Sequence, residues 1–157
     1  MKPFSKIHND HRGFTMIEIV VVLIVLAIMA PFVITRVTTD TNNLITQTEI
    51  LKSHLRYAQI MAMNDTVPWG IRVPNANSYI LYKNNATAND ILPGETPGVP
   101  PAPQTHTLPT DVTITSGVAT YNFDDWGSPG TSTLTITLSQ GTTTSSITIT
   151  RNTGYVQ

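Results

Sequence analysis

The side chains best suited to metal chemistry in this sequence are three aspartates and four histidines. Asp111 and the adjacent pair Asp124 and Asp125 offer oxygen ligands of the kind that bind calcium. They lack the spacing of an EF-hand loop, and adjacent side chains in a strand point to opposite faces, so we interpret them as turn caps. The histidines lie either in the first eleven residues or far apart, which indicates no metal cluster: they are His8, His11, His54 and His106.

Signatures of nucleophilic catalysis are also missing from the sequence. The stretch Gly127-Ser128-Pro129-Gly130 does not match the G-x-S-x-G pattern of a nucleophile elbow, and its proline and glycines favour a turn. The sequence contains no cysteine, which excludes disulfides, thiolate zinc ligands and cysteine nucleophiles. We therefore expect that the protein is not an enzyme, has no catalytic residue, and binds no cofactor or metal.

The charge of the chain argues against a broad nucleic-acid-binding surface. Nine lysines and arginines stand against ten aspartates and glutamates, which gives a formal net charge of −1 over 157 residues. Arg72 and Arg151 are candidate DNA contacts, together with Arg56 and Lys83, but these residues are scattered along the sequence. We therefore expect that nucleic acid is not a partner.

The length corresponds to one globular domain.

The first structural element predicted along the chain is an apolar segment near the N-terminus. No charged side chain occurs from residue 19 to residue 34, and Phe14 extends the run to about 20 residues, enough to span a bilayer. We predict a membrane-spanning helix at 14–36. The preceding basic residues place the N-terminus in the cytoplasm and the rest of the chain outside; they are Lys2, Lys6 and Arg12.

Glu18 interrupts the start of this segment. An unpaired carboxylate in a membrane costs roughly 2.5–3.5 kcal/mol, so Glu18 implies either a partner or a position among the lipid headgroups. A cleaved secretory signal is the alternative interpretation of the segment. It fits poorly, because Met29-Ala30-Pro31-Phe32 is unlike an A-x-A cleavage site.

A second helical segment, 37–65, follows the apolar one. Its small and apolar residues recur at spacings of three, four and seven, which predicts one buried helix face formed by Val37, Leu44, Thr48, Leu51, Leu55, Ala58 and Ala62. The opposite face is polar and is expected to meet water; it consists of Asp40, Asn43, Gln47, Lys52, Arg56 and Gln59.

The remainder of the chain, 66–157, alternates apolar residues with threonines and is predicted to be a β domain. Its apolar faces are expected to pack on the buried helix face, and its prolines predict a loop without regular ladders at 84–109. The predicted strands are Trp69–Val73, Ser78–Tyr82, Val112–Thr115, Thr120–Asp124, Thr133–Leu138, Ser146–Thr150 and Gly154–Gln157.

One N-terminal motif points to a family. Gly13-Phe14-Thr15-Met16-Ile17-Glu18, after a short basic leader (1–13) and before the apolar run, closely resembles the prepilin peptidase site of type IV pilins and type II secretion pseudopilins. The resemblance implies cleavage between Gly13 and Phe14, N-methylation of Phe14, and pairing of Glu18 with the Phe14 amine of a neighbouring subunit during assembly. The implied partners are other pilin or pseudopilin subunits, the prepilin peptidase and an inner-membrane assembly platform.

The helix end and the β domain narrow the resemblance to the GspH/FimT group of minor pseudopilins and minor pilins. The stretch 51–62 looks like the end of that group's helix, and Tyr121-Asn122-Phe123 and Ile147-Thr148-Ile149 resemble its β domain. The implied fold is α+β and pilin-like, with a long N-terminal helix packed on an antiparallel β domain. The implied function is a structural, minor subunit of a type II secretion pseudopilus at the bacterial inner membrane. The alternative is a minor pilin of a type IV pilus with a tip-binding role such as DNA uptake or adhesion.

Overall fold

The computed structural model describes residues 15–96 and 104–157, and for residues 29–42 it describes the backbone alone. The predicted leader 1–13, Phe14, and residues 97–103 of the proline-rich loop therefore lie outside the described residues. The chain divides into two compact units, Met1–Val37 and Thr38–Gln157.

One long helix, α1, runs from Met16 to Asn64 and joins the two predicted helical segments, 14–36 and 37–65. Thr15 caps its start, because the carbonyl oxygen and the hydroxyl of Thr15 both accept hydrogen bonds from the Glu18 amide. At the other end the Asn64 side chain donates to the Ile60 carbonyl oxygen at 2.9 Å. The described residues contain no candidate for a membrane-spanning helix. The predicted span 14–36 includes eight residues, 29–36, whose side chains are not described.

Within the second unit, α1 buries the predicted face. The described members of that face are all buried, from Leu44 to Ala62, and Leu51, Leu55, Ala58 and Ala62 are fully inaccessible to solvent. Val37, the first residue of the predicted face, lies outside the described side chains. The face also includes His54, which is 2% exposed and which the apolar pattern did not reveal.

The β domain contains eight described strands in two antiparallel sheets. The five-stranded sheet has the order β3-β2-β1-β6, with β4 also pairing with β2, and the three-stranded sheet has the order β5-β7-β8. The strands are β1 Trp69–Asn75, β2 Ser78–Lys83, β3 Ala86–Thr87, β4 Thr105–Thr107, β5 Thr113–Ser116, β6 Thr120–Phe123, β7 Leu134–Gln140 and β8 Thr143–Ile149.

The two sheets and α1 share a single hydrophobic core. Alternate residues of β7 and β8 point into it, so that Ile136, Leu138, Ile147 and Ile149 are buried while the threonines between them face outward or are half-buried. This confirms the predicted packing of the last hairpin on the helix. The turn of that hairpin is Gly141-Thr142, with φ of +58° at Gly141.

The proline-rich loop departs from the prediction, because two short strands form inside 84–109. Asn84 and Asn85 both have positive φ and make a two-residue hairpin turn that returns β3 onto β2. Strand β4, which contains no proline, pairs with the first half of β2. It uses the same edge of β2 as β3, which pairs with the second half. At the C-terminus, the predicted strand Gly154–Gln157 is reduced to one bridge, between Val156 and Ile149.

Candidate functional site

Glu18 is the one residue of the predicted processing and assembly site whose surroundings are described. It lies in the first turn of α1 with an exposed side chain, beside Ile19, Val22 and Leu23. The positive end of the helix dipole favours a carboxylate at this position. Thr15 and Glu18 also have the spacing of a capping box. Glu18 therefore stands as a charge on an otherwise apolar helix surface.

Gly13 and Phe14 lie outside the described residues, so cleavage after Gly13 and methylation of Phe14 stay predictions. The helix begins at Met16, two residues beyond the predicted new N-terminus.

The candidate DNA contacts Arg72 and Arg151 are exposed and belong to different parts of the β domain. Arg72 lies on β1 in the five-stranded sheet, and its guanidinium is 5.6 Å from the centre of the Tyr82 ring. Arg151 lies in the turn after β8, the last strand of the three-stranded sheet. Their role in DNA contact stays a prediction.

Asp124 and Asp111 make the kind of contact expected of turn and loop residues. One Asp124 carboxylate oxygen accepts hydrogen bonds from the Trp126 amide at 3.0 Å and the Ser128 amide at 2.8 Å, which organises the turn that follows β6. Asp111 accepts from the Asn43 side chain at 2.9 Å and from Gln140. Within the described residues, no group of histidine and carboxylate side chains is arranged to hold a metal ion.

The turn held by Asp124 presents Trp126, which is 83% exposed. Gly127 follows with φ of +73° and lies against the side chains of Gln59 and Met63 on α1. Because residues 127 and 59 are in contact, the tryptophan sits on a turn that is fixed to the end of the helix.

Several polar residues of α1 bind the β domain and do not simply face water, which corrects the predicted polar face. Gln59 donates to the Gly127 and Thr153 carbonyl oxygens, Arg56 donates to the Val156 carbonyl oxygen, and Asn43 donates to Asp111. Such contacts join residues 68 to 100 positions apart, so no local pattern in the sequence could identify them.

A cluster of two histidines and a tyrosine between α1 and the β domain was not predicted from the sequence; His54 and Tyr79 in it are buried and His106 is partly buried. The His54 ring on α1 contacts the Tyr79 hydroxyl through Nδ1 at 2.9 Å and the Pro93 carbonyl oxygen through Nε2 at 2.8 Å. The His106 ring on β4 stacks on Tyr79, with ring centres 4.9 Å apart. Its Nδ1 lies 2.6 Å from the Glu95 carboxylate, and its Nε2 lies 2.8 Å from the Gln47 side chain.

Burial sets the protonation of this cluster. It lowers the pKa of His54 below the ordinary value of 6.5, with the hydrogen bond to Pro93 acting in the opposite direction. Burial also raises the pKa of Tyr79, so its hydroxyl keeps its proton at any physiological pH. The cluster thus combines a neutral imidazole with a hydroxyl donor, and its contacts are those of a structural network.

Comparison with protein-family models gives two matches along the chain. Residues 8–30 match the prokaryotic N-terminal methylation motif, and residues 47–154 match the type II transport protein GspH. No curated protein and no solved structure matches the sequence. The second match covers well over half of the chain and includes the end of α1, both sheets and the buried cluster. The chain therefore belongs to the GspH family of pilin-like type II transport proteins.

Proposed function

We propose that this protein is a minor subunit of a type II secretion pseudopilus, a structural component and not a catalyst. Its precursor is held in the inner membrane with the N-terminus in the cytoplasm. Prepilin peptidase removes residues 1–13, Phe14 is methylated, and the processed chain is assembled with other pseudopilin subunits.

The observation that carries the proposal is the combination of two family matches on a single chain. The methylation motif covers the start of α1, and the GspH match covers the last part of α1 and the β domain. An N-methylation motif is the sequence that a prepilin peptidase reads, and the description of the second match, a type II transport protein, supports the proposal of a secretion pseudopilus. The exposed apolar side chains from Met16 to Ile28 provide a surface for helix packing in the membrane or in a filament.

Glu18 fits this proposal as the counter-charge of assembly. Its carboxylate is exposed on an apolar helix surface, where the amine of a neighbouring Phe14 would bring it an opposite charge in a medium of low dielectric constant.

The experiment that tests the function is a gene deletion in the native host, complemented with the full-length chain. We expect loss or reduction of the secretion of a type II substrate into the medium, with restoration by the wild-type gene. Gly13→Val should fail to restore secretion, because the peptidase needs close approach to a backbone without a side chain. Mass spectrometry of the membrane fraction should find the wild-type chain beginning at methylated Phe14 and the Gly13→Val chain unprocessed.

Two other results would contradict this assignment in different ways. A deletion strain with normal secretion but without surface pili or DNA uptake would show the alternative, a minor pilin of a type IV pilus. A normal methylated Phe14 terminus in the Gly13→Val chain would show that the cleavage site is elsewhere. Arg12→Lys, which keeps the charge of the leader, is the matched control and should process normally.

A further inference from the structure

The buried cluster binds the described part of the proline-rich loop that precedes residue 97. The short stretch Leu92–Glu95, called the anchored segment here, is a turn in which the Glu95 amide donates to the Leu92 carbonyl oxygen. Leu92 is fully buried, the Pro93 carbonyl oxygen contacts His54, and the Glu95 carboxylate contacts His106. Two histidines on different elements therefore hold one turn.

The hydrogen bonds of His54 fix which nitrogen carries its proton. A carbonyl oxygen only accepts, so Nε2 must donate to Pro93. In the neutral ring Nδ1 is then an acceptor, and it takes the proton of the Tyr79 hydroxyl. The neutral imidazole thus satisfies both contacts at once.

A second proton on His54 would have to bind at Nδ1. There it would meet the Tyr79 hydroxyl, whose own hydrogen would lose its acceptor in a buried site. The other titratable groups around the ring are His106 on β4 and Glu95 in the anchored segment. A charge on His106 opposes the second proton, and Glu95, which is already paired with His106, favours it only weakly.

We propose that His54 is an acid-sensitive latch: a second proton on the buried ring, at Nδ1 beside the Tyr79 hydroxyl, is accommodated when the anchored segment, which lies against Nε2, moves away and the ring meets water. The Nε2–H donor to Pro93 is present in both forms and favours the closed state, so hydration of the charged ring must outweigh this bond. The neutral ring belongs to the closed state and the doubly protonated ring to the open state. In the open state His54 meets water, and Leu92 leaves the core together with the turn that follows it.

The direction of the effect follows from the difference between the two states. The pKa of His54 lies below 6.5 in the closed state and returns to about 6.5 when the ring is hydrated in the open state. The stability of the closed state relative to the open state is therefore greatest above pH 6.5. It decreases as the pH falls from 6.5 toward the pKa of His54 in the closed state. For one proton, the opening equilibrium constant rises by at most about tenfold per pH unit in that range.

The natural absence of cysteine allows a direct test with the full-length chain in detergent. A single Leu92→Cys substitution places a thiol in the buried position of the anchored segment. Its labelling by 4,4′-dithiodipyridine is measured at several pH values, each rate divided by that of Thr142→Cys in the exposed hairpin turn. Ala62→Cys, buried in α1, reports on opening of the whole core.

We expect the normalised labelling of Leu92→Cys to rise by roughly three- to fivefold between pH 6.5 and 5.5, while Ala62→Cys changes little. In the background of His54→Gln, whose amide can keep both hydrogen bonds without titrating, the rise should disappear. In the background of His106→Gln the rise should persist.

Three results would overturn the proposal: labelling at residue 92 that is independent of pH, an equal rise at residue 62, or a rise that survives His54→Gln. If Leu92→Cys does not fold, hydrogen exchange of the peptide 88–96 in the unsubstituted chain replaces it. After correction for intrinsic exchange, protection that stays constant from pH 7 to pH 5.5 would overturn the proposal in the same way.

Discussion

Gln59 and Gly127 are joined by a hydrogen bond of 2.8 Å, in which the side-chain amide of the helix residue donates to the carbonyl oxygen of the turn residue. Gly154 lies against the same carbonyl oxygen. The end of α1, the turn after β6 and the turn after β8 thus meet around one peptide group. A side chain at this point would separate all three segments.

The first prediction concerns Gly154. A Cβ at this position would lie 2.0 Å from the Gly127 carbonyl oxygen and 2.4 Å from the Gln59 amide nitrogen, and φ is +65°. Gly154→Ala should therefore lower the free energy of unfolding by about 2–4 kcal/mol, as backbone strain of about 1–2 kcal/mol adds to the clash.

The matched control is Gly141→Ala. Gly141 also has a positive φ, of +58°, but nothing lies within 4 Å of the position of its Cβ. It should cost only the strain, about 1–2 kcal/mol. Chemical denaturation of the full chain in detergent, followed by circular dichroism, measures both. Equal losses in the two variants would show that the contact at Gly127 relaxes freely.

The second prediction concerns Asp65 and pH. The Asp65 carboxylate pairs with Lys83 at 2.8 Å and accepts from the Trp69 indole at 3.0 Å and from the Thr66 amide. These contacts, above all the one with Lys83, lower its pKa to about 2. Because the folded pKa is below the ordinary value of 3.8, the stabilisation is complete above that value and is lost as the pH falls toward 2.

Asp65→Asn should therefore be less stable than the wild type at neutral pH, and the difference should shrink steadily between about pH 4 and pH 2. Denaturation midpoints at a series of pH values give this difference. Asp125→Asn, an exposed aspartate in the turn after β6, is the control. If the difference in stability between the wild type and Asp65→Asn were the same at pH 2 as at pH 6, the charge of the Asp65 carboxylate could not be its source.

The third prediction compares two residues of α1 with opposite environments. Leu51 is fully buried and Ile60 is 52% exposed. Leu51→Ala should lower the free energy of unfolding by about 2–5 kcal/mol because it removes buried surface and leaves a cavity. Ile60→Ala should stay within about 1 kcal/mol, since alanine also favours the helix. A large loss in Ile60→Ala under the same denaturation conditions would indicate that this helix face is covered.

The fourth prediction concerns Glu18 in assembly. Glu18→Val should insert into the membrane at least as well as the wild type, because a carboxylate in the apolar run is costly and the basic leader is unchanged. Incorporation into the filament should fall, since breaking a desolvated charge pair costs roughly 3–5 kcal/mol.

Shearing and immunoblotting measure incorporation, and the membrane level of the same cells normalises it. Ile17→Val, in the same turn of α1, is the control and should assemble normally. Equal incorporation of Glu18→Val at an equal membrane level would remove the proposed pairing with the Phe14 amine.

The regular parts of the fold could be predicted because their patterns are local. The spacing of Leu51, Leu55, Ala58 and Ala62 determines one helix face, and the alternation of isoleucines with threonines determines the inner face of the last hairpin. Strand β4 was missed because its three residues carry no such alternation and form only by pairing with β2.

The contacts of polar residues could not be predicted, since each depends on a distant partner. His54 is one polar residue within an apolar stripe, and its partners Tyr79 and Pro93 are 25 and 39 positions away. The same is true of Gln59 and Arg56, which the helical pattern assigns to water. By contrast, the processing motif is contiguous, so the sequence identifies Gly13 and Phe14 without any structure.

The two tryptophans differ so much in solvent exposure that their fluorescence can be distinguished. Trp69 is 1% exposed, with the Lys83 ammonium 4.5 Å from its ring centre, whereas Trp126 is 83% exposed on its rigid turn. An aqueous quencher such as acrylamide should therefore quench the red-shifted emission of Trp126 and leave the blue-shifted emission of Trp69. Trp126→Phe isolates the interior signal and Trp69→Phe the surface signal. Fluorescence of the unlabelled chain can thus separate changes at the turn after β6 from changes in the core.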